Sequence, residues 1–138
     1  MADVFISYAS EDRERAARLA DALQAHGWSV WWDRKIIIGE AFDAASEREL
    51  TNARCIAVLW SKNSIASDWV KNEAAVAAER GVLVPVEIDD VQLPLEFRQQ
   101  QTAQLFEWSG QASHAGFQAL CTRIAASCRR EALECDWR

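Results

Sequence analysis

From Cys55 to Trp60 the chain reads Cys-Ile-Ala-Val-Leu-Trp, an almost wholly apolar run that stops abruptly at the polar stretch Ser61-Lys-Asn-Ser. A strand of this kind offers no face to water and has to be covered on both sides, which is the habit of parallel sheets. The rest of the chain supplies coverings in alternation. Val4 to Tyr8 is a short run of strand formers, and Ser10, Glu11 and Asp12 start a helix with Ala16, Leu19, Ala20 and Leu23 inside and Gly27 at its end. Trp28 to Trp32 is predicted as the second strand and residues 33–40 as a loop. A helix follows with Phe42, Ala45, Leu50 and Ala53 at its repeat, interrupted by Glu49.

The chain after Trp60 continues the alternation. Ser67 is a good N-cap, Asp68 suits the positive end of the helix dipole, and Gly81 can take the left-handed turn that closes a helix ending at Arg80. Val82 to Ile88 is predicted as the fourth strand, its Pro85 hinting at an irregularity or an edge. Residues 89–101 form a polar connection. Ala103 to Phe106 is a short fifth strand, and the last helix runs from Ala112 to about Leu133 with Phe117, Leu120, Cys121, Ile124 and Cys128 on its apolar side. Five alternating units predict an α/β fold: a flavodoxin-like five-stranded parallel sheet in the order 2-1-3-4-5, with helices on both faces. Ligands of such sheets bind beyond the carboxyl ends of the strands, where residues 8–10, 33–40 and 61–73 meet.

Composition limits the function classes. One domain suits 138 residues, and a chain half hydrophobic and about a quarter charged is not disordered. With 21 acidic against 15 basic side chains, a net charge of −6 and no basic cluster, nucleic acid is not an expected partner. No apolar stretch approaches the roughly 20 residues needed to cross a bilayer, and Met-Ala-Asp does not open a signal peptide, so a cytoplasmic protein without a membrane partner is expected. The cysteines agree. Cys121, Cys128 and Cys135 recur every seven residues on a helix, about 10 Å apart along it, too far for an intrahelical disulfide or a shared zinc. They read as a reduced stripe on a buried or seam face, or as a contact with a second copy or another domain.

Several chemistries lack their motifs: there is no glycine-rich phosphate loop, no GxGxxG, no HExxH and no GxSxG elbow. His26 and His114 sit where helix caps or surface residues do. No metal site and no resident cofactor are expected. What stands out is the helix from Ser67, where Trp69 and Glu73 are four apart on one face, beside the apolar stripe of Val70, Ala74 and Ala77. Glu73 is either an ordinary solvated glutamate or a functional acid. Positions 69, 70, 76 and 77 hold Trp, Val, Val and Ala, so no basic partner at helical spacing accounts for it.

Three segments in this order, Asp3-Val-Phe-Ile-Ser-Tyr-Ala-Ser-Glu-Asp12, then Gly27-Trp-Ser-Val-Trp-Trp-Asp33 with Gly39 closing its loop, then Ser61 to Glu73, make the chain resemble a bacterial Toll/interleukin-1 receptor (TIR) domain over almost its whole length. The resemblance implies the NAD-cleaving type, which breaks the nicotinamide glycosidic bond with a glutamate in the helix after the third strand; here that is Glu73. NAD⁺ is then a substrate, and ADP-ribose or a cyclic isomer the product. Trp69 would offer a flat face to a nicotinamide or adenine ring. By position Ala9, Ser10, Asp33 and Gly39 would line the pocket, with a plain helix start and an ordinary turn as the equal alternative for these four. The resemblance also implies homotypic partners, other TIR domains, and a rival function as a non-catalytic signalling scaffold. Ile36, Ile37 and Ile38 suit self-association as an apolar loop patch, or else fold back on the sheet. Where a proline commonly precedes the loop glycine this chain has Ile38. A role in bacterial immunity is a further expectation of the resemblance, and the Met1 start with the abrupt Cys135-Asp-Trp-Arg138 end gives the expectation of an N-terminal effector domain in a longer chain, with a free-standing domain as the alternative.

Overall fold

The computed structural model describes residues 3–32, 48, 50–93, 102–106, 108, 110 and 113–136, residues 129–136 through their backbone. Strands β1 (Val4–Ser7), β2 (Val30–Trp31), β3 (Cys55–Trp60), β4 (Leu83–Glu87) and β5 (Ala103–Gln104) form one parallel sheet in the order β2-β1-β3-β4-β5. The helices are α1 (Arg13–Ala25), entered through a 3₁₀ turn at Ser10–Asp12, α2 (Asp68–Arg80) and α3 (Ala115–Asp136). Residues 50–52 are also helical; the start of that helix, with Phe42 and Ala45, lies outside the described residues.

Both faces of the sheet are covered, as the unbroken apolar strands require. On one face Val4, Ile6, Ala57, Leu59, Val84 and Val86 meet Leu19, Ala20 and Leu23 of α1 and Phe117, Leu120 and Ile124 of α3. On the other, Phe5, Ile56, Val58 and Trp60 meet Val70, Ala74 and Ala77 of α2, with Leu50 and Leu93. Each large side chain so buried contributes about 1.5–3 kcal/mol relative to exposure. Cys55 is buried at the start of β3, while Cys121 and Cys128 of α3 are half-buried against the same core; none of the three is in a disulfide. Contact with Cys128, then burial, pushes the Cys55 thiol up, and burial does the same to Cys121.

The strands are shorter than the apolar runs. β1 stops at Ser7 rather than Tyr8, β2 keeps only Val30 and Trp31 of the five residues from Trp28 to Trp32, and β5 ends at Gln104 rather than Phe106. β2 and β5 are the two edges: β5 ends opposite Glu87, the last residue of β4, whereas β2 stops at Trp31 although β1 runs on to Ser7. Pro85 is not in an edge strand: β4 lies inside the sheet, with Pro85 opposite Val58. Its place is nevertheless consistent with a missing N–H. Residues 82 and 88 bond toward β3, so 83, 85 and 87 face the other side, and β5 begins only opposite Val86.

Local chemistry sets the helix ends. Ser67 Oγ accepts from Val70 N at 3.3 Å and Gly81 adopts φ 74°, so α2 has the predicted start and stop. Arg80 then reaches across to donate to the carbonyls of Leu50 and Ala53 at 2.6 and 2.8 Å. The helical segment after β1 starts at Ser10–Asp12 as expected, though as a 3₁₀ turn and without a side-chain cap. Ala9 holds the capping position, and Ser10 Oγ donates to Glu11 instead, at 2.9 Å. Helix α3 begins three residues later than expected, where Gly116 N donates to His114 Nδ1 and a Cβ on Gly116 would stand 1.8 Å from the Gln104 carbonyl oxygen. Among the described residues no helix is long and apolar enough to cross a membrane.

Candidate functional site

The carboxyl ends of β1, β3 and β4 are tied together by a polar clasp. Asp12, 2% exposed, accepts from the Ser61 hydroxyl, from Asn63 Nδ2 at 3.1 Å and from Arg15 at 2.6 Å. Arg15 also donates to Asp89 at 2.9 Å, and Asp89 accepts from Lys62 N at 3.0 Å. The Arg15 guanidinium holds the Asp89 carboxyl below the usual range, helped by the Lys62 N–H and opposed by partial burial. Ser64 Oγ donates to the Leu59 carbonyl at 2.7 Å and accepts from Ser61 N at 2.6 Å. The serine-rich stretch between β3 and α2 is therefore a fixed bracket, and it fixes where α2 begins.

Beside this clasp a cleft of about 350 Å³ opens between the turn after β1 and the start of α2. Tyr8, Ala9, Ser10, Glu11 and Arg13 form one wall, and Ser67 and Trp69 the other. Trp69 is 37% exposed. Tyr8 lies 6.4 Å from the Trp32 ring, and the Arg13 guanidinium sits over that ring, 5.2 Å from its centre.

Glu73 lies one turn of α2 beyond Trp69 and is 5% exposed. Ser7 Oγ, at the carboxyl end of β1, donates to Glu73 Oε1 at 2.8 Å. A solvated surface glutamate is thus not what the fold makes of it: the acid is held among Val70, Ala74 and Ala77, where an ionised carboxylate costs several kcal/mol unless compensated. Glu73 is not itself on the cleft wall. It adjoins the cleft through two neighbours, Ser7 immediately before Tyr8 and Trp69 on its own helix. The fold therefore brings Ala9, Ser10, Trp69 and Glu73 to one end of the sheet. Asp33, Gly39 and the Ile36, Ile37 and Ile38 patch lie outside the described residues.

Three features of this region are not legible as spacing. Ser7 reaches Glu73 across 66 residues of chain, and the Asp12 to Ser61 contact spans 49. The available signal was topological, since both pairs lie on neighbouring elements of a 2-1-3 sheet. Arg13 and Arg15 are alike in sequence, and only the fold gives one to the cleft and the other to the clasp. A second depression of about 380 Å³ lies toward the opposite end of β4, between Gly81, Leu83, Pro85, Thr102 and Arg123, with no carboxylate among the described residues that line it. Among the described residues no group of three or more His, Cys, Asp or Glu converges as a metal site would.

The TIR domain family profile matches residues 4–121, and the chain belongs to that family. It is similar to two curated bacterial proteins, the 2' cyclic ADP-D-ribose synthase BtTIR of Bacteroides thetaiotaomicron, 36% identical, and AbTIR of Acinetobacter baumannii, 37% identical, each over 73 residues, 51% of this chain. The matched stretch spans about a quarter of each relative's length, 25% and 27%. Its fold is similar to that of the TIR domain of the Toll-related receptor TRR-2 from Hydra magnipapillata, with a TM-score of 0.73 at 17% identity over 94% of this chain and 99% of that one.

Proposed function

We propose that this domain is an NAD⁺ nucleosidase, cleaving the bond between nicotinamide and ribose, with Glu73 as the catalytic carboxylate and Trp69, Ala9 and Ser10 lining the substrate cleft. The observation that carries the reading is the carboxylate itself: nearly out of water, aligned by Ser7, beside a cleft with an aromatic wall. The similarity to two named cyclic ADP-D-ribose synthases supports it.

The chemistry asks little more. Nicotinamide departs as a neutral ring, so no general acid has to protonate it, and the barrier lies in the positive charge that grows on the ribose. A fixed carboxylate in a water-poor site stabilises that charge far better than one in bulk water, because nothing has to reorganise as it forms. Its oxygens can also hold the ribose hydroxyls. Water attacking the cation gives ADP-ribose, and a hydroxyl of the same substrate gives a cyclic isomer. Trp69, exposed on the rim, is placed either to stack on the substrate or to meet a second copy of the domain. We take self-assembly as the step that encloses the cleft, with Ile36 to Ile38 and Trp69 as contacts, and Asp33 and Gly39 as the remaining lining.

Incubating the purified domain with NAD⁺ and separating the products by chromatography tests this. Wild type releases nicotinamide and Glu73→Ala does not. If neither releases it while both oligomerise alike, the domain is a signalling scaffold.

A further inference from the structure

We infer that Arg13 is the residue that grips the pyrophosphate of the dinucleotide in the cleft between Ala9, Ser10 and Trp69. This rests on the nucleosidase reading and adds to it a binding residue and the part of the substrate that residue recognises.

Two arginines stand two positions apart at the start of α1, on different faces of the helix, and of the two only Arg13 lines the cleft. Arg15 is committed to the clasp, at 2.6 Å from Asp12 and 2.9 Å from Asp89, two carboxylates that hold it in place. Arg13 is turned to the cleft wall, its guanidinium over the Trp32 ring at 5.2 Å. A guanidinium lying over an aromatic face is steadied by that face, and its N–H donors point in its own plane, the arrangement that meets two phosphate oxygens at once.

Electrostatics favours such a residue. The chain carries a net charge of −6, and Glu11 stands on the same wall. A pyrophosphate dianion entering there is attracted by a cation on the wall and repelled by Glu11. Among the described residues that line the cleft, Arg13 is the sole basic one. Glu11 is turned toward Ser10, whose hydroxyl donates to it at 2.9 Å. The wall thus presents an arginine to the substrate's charged middle, while Trp69 and Glu73 stand toward its nicotinamide riboside end.

Steady-state nicotinamide release tests the assignment, with wild type, Arg13→Gln and Arg13→Lys. The substrate is NAD⁺, and nicotinamide riboside, which has the same reacting bond and no pyrophosphate, is followed as substrate or competitive inhibitor. Losing a charge-assisted bidentate contact should raise the KM for NAD⁺ on the order of tenfold or more in Arg13→Gln, with a much smaller change in kcat. Arg13→Lys should recover part of it, and the effect on the riboside should be far smaller. An unchanged KM for NAD⁺ overturns the assignment. So does an equal loss toward both ligands together with a lowered melting temperature, since that is what an arginine merely packing on Trp32 would give. Wild type that releases no nicotinamide at all overturns the nucleosidase reading and this one with it; activity in wild type with an unaltered Arg13→Gln overturns this one alone.

Discussion

Glu73 is held where a carboxylate is expensive, in the apolar stripe of α2, with Ser7 Oγ 2.8 Å away. Residues kept for chemistry at a cost in stability give a distinctive pair of effects when neutralised. Glu73→Gln keeps the size and an acceptor for Ser7, so it should melt at the same temperature as wild type or higher, by up to about 1 kcal/mol, while losing catalysis. Ser7→Ala should do something different. Removing a hydrogen bond to a buried charged group costs about 1.5–3 kcal/mol, so urea unfolding should shift to lower midpoint and nicotinamide release should slow without vanishing. Asp89 gives a pH signature. Its folded pKa lies below the ordinary carboxyl value, so the stability it contributes is full above about pH 4, where the unfolded group is ionised, and is lost as pH falls through the folded value. Stability followed from pH 6 down to pH 2 should fall less in Asp89→Asn than in wild type. From sequence, Glu73 was legible only as an acid lacking a basic partner at helical spacing. The donor that aligns it, Ser7, is on β1, far from it in sequence.

Among the elements, α2 was readable to the residue because its ends depend on local chemistry: a serine that caps and a glycine that can turn left-handed. The order of the sheet was readable for a related reason, since unbroken apolar runs alternating with amphipathic helices have few parallel arrangements. Edge strands were read too long. β2 and β5 consist of two residues each; β5 ends with its partner β4 at Glu87, while β2 stops at Trp31 although β1 continues to Ser7, and no side chain in either run encodes these limits. The docking of α3 on β5 was also hidden. Gly116 looks like a poor helix residue, yet a methyl group there would stand 1.8 Å from the Gln104 carbonyl. Gly116→Ala should therefore destabilise the domain by about 1–3 kcal/mol or more despite alanine's better helix propensity, read as a lower urea midpoint with unchanged slope.

For the molecule as a whole, the clasp of Asp12, Ser61, Arg15 and Asp89 joins three loops at one end of the sheet and leaves the cleft standing beside them. The sequence placed those loops together through topology alone; it did not distinguish the arginine that locks them from the one that faces the cleft. A cleft walled on one side by an exposed Trp69 is suited to completion by a neighbouring copy, so specific activity should rise with protein concentration and fall on dilution. The most direct test of the account is nicotinamide release from NAD⁺ by concentrated wild type and by Glu73→Gln, compared side by side with matched melting curves. The account predicts turnover in wild type and none in a variant that is at least as stable. Turnover surviving in Glu73→Gln, or absent from well-folded wild type at every concentration, would contradict it.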